Sequence, residues 1–259
     1  LFVFCRILHH GDLRNCLNRR FFPLLGFLLL FQIWFIATSG SVKEVVKSGT
    51  MHYMAIVFSF NFFGSIMALA LNYDGVSSER ESKFLDLILT SGVSKRTVYL
   101  SKVITSLLIS AAFAVLYTLP MMLFYGLQTG DFLLGLQALR YSGPIAVFLL
   151  IFSQIGLALS VALRSTKASL IVSILLGVLM MPRLMVAILD GINGFVHLPQ
   201  SVLERVYLIT PALILNSLNG YSDSTTVLIG LLLFALYLFG SIVIGVSTFQ
   251  RQDELNYGE

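Results

Sequence analysis

Six stretches of the chain are almost purely apolar, and each is about as long as a helix that crosses a bilayer. They cover residues 21–42, 48–73, 103–130, 141–163, 168–189 and 224–250. A spanning helix needs about 20 apolar residues, and a helix on a soluble core would show a polar stripe on its outer face. Five stretches contain no Asp, Glu, Lys or Arg, and the fifth in chain order contains only Arg183. The pattern predicts an all-α membrane protein with six transmembrane helices, forming one domain over residues 1–259.

Composition agrees with lipid as the main solvent of this chain. Hydrophobic residues make up 57% of its 259 residues and charged residues only 12%, whereas soluble domains carry about 25% charged residues. The net charge of +4 could suggest nucleic acid in a soluble protein. Here the basic residues flank apolar stretches, which favours contact with lipid headgroups and predicts no nucleic-acid partner.

The distribution of Lys and Arg between the two sides of the membrane orients the chain. Twelve fall on one side and five on the other: Arg6, Arg14, Arg19, Arg20, Arg80, Lys83, Lys95, Arg96, Lys102, Arg164, Lys167 and Arg251 against Lys43, Lys47, Arg140, Arg183 and Arg205. Cytoplasmic loops carry the excess of basic residues. We therefore expect a multi-pass protein of the plasma membrane with both termini in the cytoplasm.

Two segments outside the spans have patterns of their own. Residues 1–20 mix basic and apolar residues at a spacing of four, which predicts an amphipathic elbow helix at the inner surface; an ordinary basic flank is the alternative. Residues 190–223 contain an apolar run at 206–218, interrupted by Pro211 and too short to cross. That run predicts a re-entrant outer hairpin before the last span.

The inner loop at 77–102 is the most informative segment for function. Ser78 can cap a helix, and an apolar stripe follows at Phe84, Leu85, Ile88 and Leu89. The pattern predicts one short amphipathic helix that ends at residues 90–92. Such a helix either docks a cytoplasmic partner or lies on the headgroups, and the pattern alone does not choose between the two.

The order of residues in this loop resembles the inner loop of type 2 ABC transporter permeases. Glu79, Arg80 and Glu81 precede a leucine-rich turn, the sequence Val-Ser-Lys-Arg at 93–96 and Lys102. The loop follows the second span, as in that family, and the elbow and outer hairpin fit as well. Two departures are Ser82-Lys83, where the family usually has Gly-Thr, and Gly92, where Pro is common.

The resemblance implies the membrane subunit of an exporter, pairing with a second copy or a related permease and with two cytoplasmic ATPase subunits. It implies an ATPase-coupling element that comprises Glu79, Arg80, Glu81, Phe84 and Leu85. Because the spans carry almost no charge, the cargo is expected to be hydrophobic or amphipathic: a peptide, lipid or drug-like molecule. The alternative is a membrane scaffold or channel-like protein that works without an ATPase.

The sequence predicts no enzyme activity, no catalytic residue and no cofactor in this chain. There is no Gly-Lys dipeptide, hence no phosphate-binding loop, and no histidine pair has zinc-motif spacing. ATP and magnesium are therefore expected in the partner ATPase. Arg183 is expected near the outer membrane edge, where it either forms an outer gate with Asp190 or extends to the surface.

Overall fold

The computed structural model describes residues 21–38, 60–130, 133, 136, 142–163, 165–197, 199, 202 and 224–251, and this part of the chain is all-helical. A π-helical turn at Phe60–Gly64 leads into the second α-helix. The α-helices are α1 Phe22–Thr38, α2 Ser65–Asn72, α3 Ser77–Glu81, α4 Phe84–Thr90, α5 Lys95–Thr129, α6 Ser142–Ala162, α7 Thr166–Leu179, α8 Pro182–Val196 and α9 Ser224–Arg251.

Three of the described helices are long and apolar enough to cross a membrane: α5 over Lys95–Leu123, α6, and α9 over Leu228–Arg251. Helices α7 and α8 are bent by 52° at their junction and make a fourth candidate if they count as one span. Residues 39–42 of the first predicted span and 48–59 of the second lie outside the described residues. So do the elbow at 1–20 and the run at 206–218, and the count of six therefore stays a prediction.

The sequence explains where α5 begins and ends. The Ser94 hydroxyl caps its first turn by accepting a hydrogen bond from the Thr97 N–H at 3.2 Å. At the other end Gly130 has a φ of +71°, the left-handed conformation that commonly ends helices. The helix therefore begins at Lys95 and carries the basic end of the inner loop on its first turns.

Helix α2 packs between α6 and α7, and small residues allow the close approach. A Cβ on Gly156 of α6 would lie 2.8 Å from the Leu69 carbonyl oxygen, and one on Gly177 of α7 would lie 2.8 Å from the Ile66 Cα. Ser65 donates a hydrogen bond to the Gly177 carbonyl at 2.7 Å. The short α2 is thus packed closely against both α6 and α7.

Aromatic side chains fill the larger of two apolar clusters, which joins α1, α2, α5 and α6. The rings of Phe60 and Tyr117 meet edge to face, with centroids 4.8 Å apart. The Tyr117 hydroxyl is buried and donates to Oε1 of Gln32 at 3.0 Å. The smaller cluster lies beneath residues 77–92 and includes Leu85, Val98 and Phe249.

Burial differs sharply between the candidate spans. Most of the apolar window of α6, 61%, is buried inside the chain, against 17% for α9. Exposed apolar side chains follow α9 over its whole length, among them Leu228, Leu232, Leu236, Phe239, Val243 and Ile244. This face of α9 needs lipid or a neighbouring chain to cover it.

Candidate coupling site

Residues 77–92, called here the inner segment, form two short helices rather than the single helix that the sequence predicted. Lys83 separates α3 from α4 with a φ of +59°, in the left-handed region that breaks a right-handed helix. Ser78 does not cap; its hydroxyl donates to the Asp74 carbonyl at 2.7 Å. The end of α4 is as predicted, because the helix stops at Thr90 and Gly92 has a φ of +82°.

Glu79 turns toward the bundle, where it forms an ion pair with Lys102 of α5. Nζ of Lys102 lies 2.6 Å from Oε1 of Glu79, and the two side chains are only 4% and 13% exposed. A pair this well shielded from solvent is screened far less by salt than a surface pair. The pair therefore fixes α3 to the first turns of α5.

A single hydroxyl attaches the start of α3 to α6. Oγ of Ser160 accepts hydrogen bonds from the backbone N–H groups of Val76 and Ser77, each at 2.9 Å. These N–H groups lie at the start of the helix, where no intrahelical acceptor is available. Ser160 is fully buried, so this contact binds the backbone of the inner segment directly to a candidate span.

Glu81 joins the inner segment to the start of α7 at the exposed surface. Its two carboxylate oxygens accept hydrogen bonds from the Thr166 backbone N–H and hydroxyl, both at 2.8 Å. The backbone hydrogen bond is the main cause that lowers the pKa of Glu81, followed by the hydroxyl hydrogen bond. A carboxylate at the first turn of a helix also complements the helix dipole.

The apolar residues of α4 divide between the core and the solvent. Leu85 is buried in the smaller cluster, beside Val98 and Phe249. Phe84 is 49% exposed and Leu87 is 68% exposed. Leu87 was not among the predicted stripe residues; a spacing of three from Phe84 is the signal that could have identified it.

The structure therefore does not give the five predicted coupling residues one common environment. Glu79 and Glu81 contact helices of the same chain, Leu85 lies in the core, Arg80 is half-buried and Phe84 is exposed.

The two residues predicted to form an outer gate both lie on α8. Arg183 occupies its second position and Asp190 lies further along with an exposed side chain. The side chain of Arg183 is outside the described residues, so the gate stays a prediction. Among the described residues no group of three His, Cys, Asp or Glu side chains could hold a metal ion.

A comparison with protein families decides what kind of protein carries this segment. The model of the family described as ABC-2 family transporter protein matches residues 20–254, nearly the whole chain. The chain belongs to this ABC-2 family. The ABC-2 chain is accordingly a multi-pass membrane protein and a permease component of an ABC transporter, and permeases of this family are not themselves catalytic. Membership also implies association with ABC ATPase subunits. A comparison with curated proteins gave no match.

Proposed function

We propose that this chain is the membrane subunit of an ATP-driven exporter. Two copies, or one copy and a related permease, enclose the path, and two cytoplasmic ATPase subunits bind ATP and magnesium and drive the cycle. The proposal includes six spans, an elbow helix at 1–20, cytoplasmic termini and a place in the plasma membrane. Family membership supports the permease role, and the inner segment supports the coupling to an ATPase.

The observation that carries the proposal is the exposed apolar pair on α4. Phe84 and Leu87 project from α4, which follows directly on α3, and α3 is held to α5, α6 and α7 through Glu79, Ser160 and Glu81. An apolar surface on a firmly held segment outside the bundle is typical of a protein-binding site. A helix that only lies on the lipid headgroups would not need its neighbour α3 to be attached to several helices of the bundle.

The candidate spans support a hydrophobic or amphipathic cargo. Between Ser142 and Ala162 there is no charged residue, and α9 has none before Arg251. A path lined by these helices offers apolar surface and few fixed charges, which suits a lipid, an amphipathic peptide or a drug-like molecule better than a free ion.

Co-purification tests the proposal directly. The tagged chain is extracted in mild detergent from its own cells, and the ATPase recovered with it is quantified. The test variant combines Phe84→Ala with Leu87→Ala. The control combines Leu228→Ala with Leu232→Ala on α9, where the side chains are equally apolar and exposed but lie on a candidate span rather than on the inner segment.

We expect the unmodified chain and the α9 control to recover the ATPase equally. Each apolar side chain that is fully buried contributes about 1.5–3 kcal/mol, so the α4 variant should recover at least about tenfold less. If no ATPase accompanies the unmodified chain, the exporter is wrong and the scaffold or channel-like alternative stands. If the ATPase binds the α4 variant as well as the control, the docking surface is elsewhere.

A further inference from the structure

Lys102 occupies an unusual position for a lysine. It lies within the candidate span Lys95–Leu123, and its side chain is almost wholly buried. Taking a lysine and a glutamate out of water costs several kcal/mol per ion, and replacing such pairs by apolar residues is often neutral or stabilising. Net stability is therefore weak evidence for why the pair with Glu79 is present, and the position of the pair in the fold is the better guide.

The ion pair between Glu79 and Lys102 joins α3 to the start of α5. Glu79 lies on α3, which joins α4 through the short break at Ser82 and Lys83. Lys102 lies near the start of α5, which continues to Thr129, about 40 Å further along the helix axis. A displacement of the inner segment is thus applied at one end of a long helix that extends across the bundle.

We propose that Lys102 is a positioning residue, which transmits movement of the inner segment to α5 through its ion pair with Glu79. The inference rests on the proposed function, because the ATPase supplies the movement. Glu79 then acts inward on α5, while Phe84 and Leu87 face the ATPase.

The other two attachments differ in character. Ser160 binds the α3 backbone through neutral hydrogen bonds, and it leads to α6. Glu81 binds Thr166 where its carboxylate is exposed to water, and exposed electrostatic contacts are weak. Of the three, the Lys102–Glu79 pair combines charge, burial and a direct connection to α5. Of the three attachments, its loss should therefore most reduce the transmission of movement from the inner segment to α5.

The test uses the full chain in complex with its co-purified ATPase and needs no knowledge of the cargo. Cys5 and Cys16 are replaced by Ser, and Leu127→Cys introduces a reporter thiol at the far end of α5, where Leu127 is exposed. The readout is the rate of labelling by a maleimide with and without ATP. ATPase recovery, ATP hydrolysis and thermal stability are measured on the same samples.

The variants are Lys102→Met, the exchange of Glu79→Lys with Lys102→Glu, and the control Arg96→Met. The control removes one positive charge from an exposed position on the same helix. Lys102→Met should keep the ATPase bound and hydrolysing, while the ATP-dependent change in labelling falls about fivefold or more, a coupling loss at the low end of the usual range. The exchange should restore the response, and Arg96→Met should retain it.

A full response in Lys102→Met overturns the inference, and so does a folded, ATPase-bound exchange variant without a response. If Lys102→Met does not accumulate, the double variant of Glu79→Leu with Lys102→Met decides, because it removes the ion pair and leaves no unpaired buried charge. A full labelling response in that double variant overturns the inference. A chain that recovers no ATPase at all refutes the proposed function instead, which keeps the two failures apart.

Discussion

The contact between Gly156 and Leu69 yields a prediction whose size can be worked out from the structure. A Cβ at residue 156 would lie 2.8 Å from the Leu69 carbonyl oxygen and 3.3 Å from its Cα. Both are backbone atoms, so α2 and α6 must move apart to admit even a methyl group. Overpacking of this kind lowers the free energy of unfolding by about 1–3 kcal/mol. The higher helix propensity of Ala than of Gly raises it by up to about 1 kcal/mol.

Gly240→Ala is the matched control, because Gly240 also lies within a helix but a Cβ there meets nothing within 4 Å. The propensity gain is common to both variants, so their difference isolates the backbone collision. We expect Gly156→Ala to be less stable than Gly240→Ala by about 1–3 kcal/mol. Equilibrium unfolding of the purified chain in mixed micelles, followed by circular dichroism, measures this difference. Equal stability of the two variants would refute the close packing of α2 against α6.

Two further predictions concern single polar groups. Tyr117→Phe removes the hydrogen-bond donor to Gln32 and should lower the free energy of unfolding by about 0.5–1.5 kcal/mol. Tyr99→Phe should not lower it, because the buried Tyr99 hydroxyl has no hydrogen-bond partner among the described residues. Equal losses of stability in the two variants, measured in the same unfolding assay, would contradict the role of the Tyr117 hydrogen bond. Because the hydrogen bonds from Thr166 lower the pKa of Glu81 below its ordinary value of 4.5, their stabilisation is fully present above that pH and is lost as the pH falls through the lowered pKa. Melting temperatures should therefore show Glu81→Gln less stable than the unmodified chain at neutral pH, with the gap closing in acid; a gap that is constant with pH would contradict the assignment.

The hydrophobic pattern predicted the long helices well where one uninterrupted stretch makes one helix. The stretches at 141–163 and 224–250 contain α6 and α9 almost from end to end. Breaks within helices were harder to predict, because they depend on backbone conformation rather than on the polarity of the side chains. Lys83 has a Cβ and no sequence signal for a left-handed φ, so the division between α3 and α4 was missed. The bend between α7 and α8 does have a sequence signal, because Pro182 stands at the first position of α8.

The candidate site was predictable as a segment but not as a set of contacts. The charged residues at 79–81 and the leucine-rich turn identified the inner segment. The acceptor roles of its carboxylates depend on residues distant in sequence: Lys102 is 23 positions from Glu79, and Thr166 is 85 positions from Glu81. Local periodicity carries no information about pairs so far apart in sequence. The sequence pattern therefore could not show whether Glu79 and Glu81 face the ATPase or the helices of their own chain.

The low burial of α9 has a consequence for the order in which the protein is assembled. Helix α9 is the last described helix to leave the ribosome, and it packs on α5 and α6, which are already inserted by then. Because only 17% of its apolar window is buried inside the chain, α9 adds little to the core when it docks. Most of its surface therefore stays open to lipid or to a neighbouring chain after this chain has folded. Folding of the chain and coverage of α9 by a neighbour are separate events, and only the second depends on the concentration of the protein in the membrane.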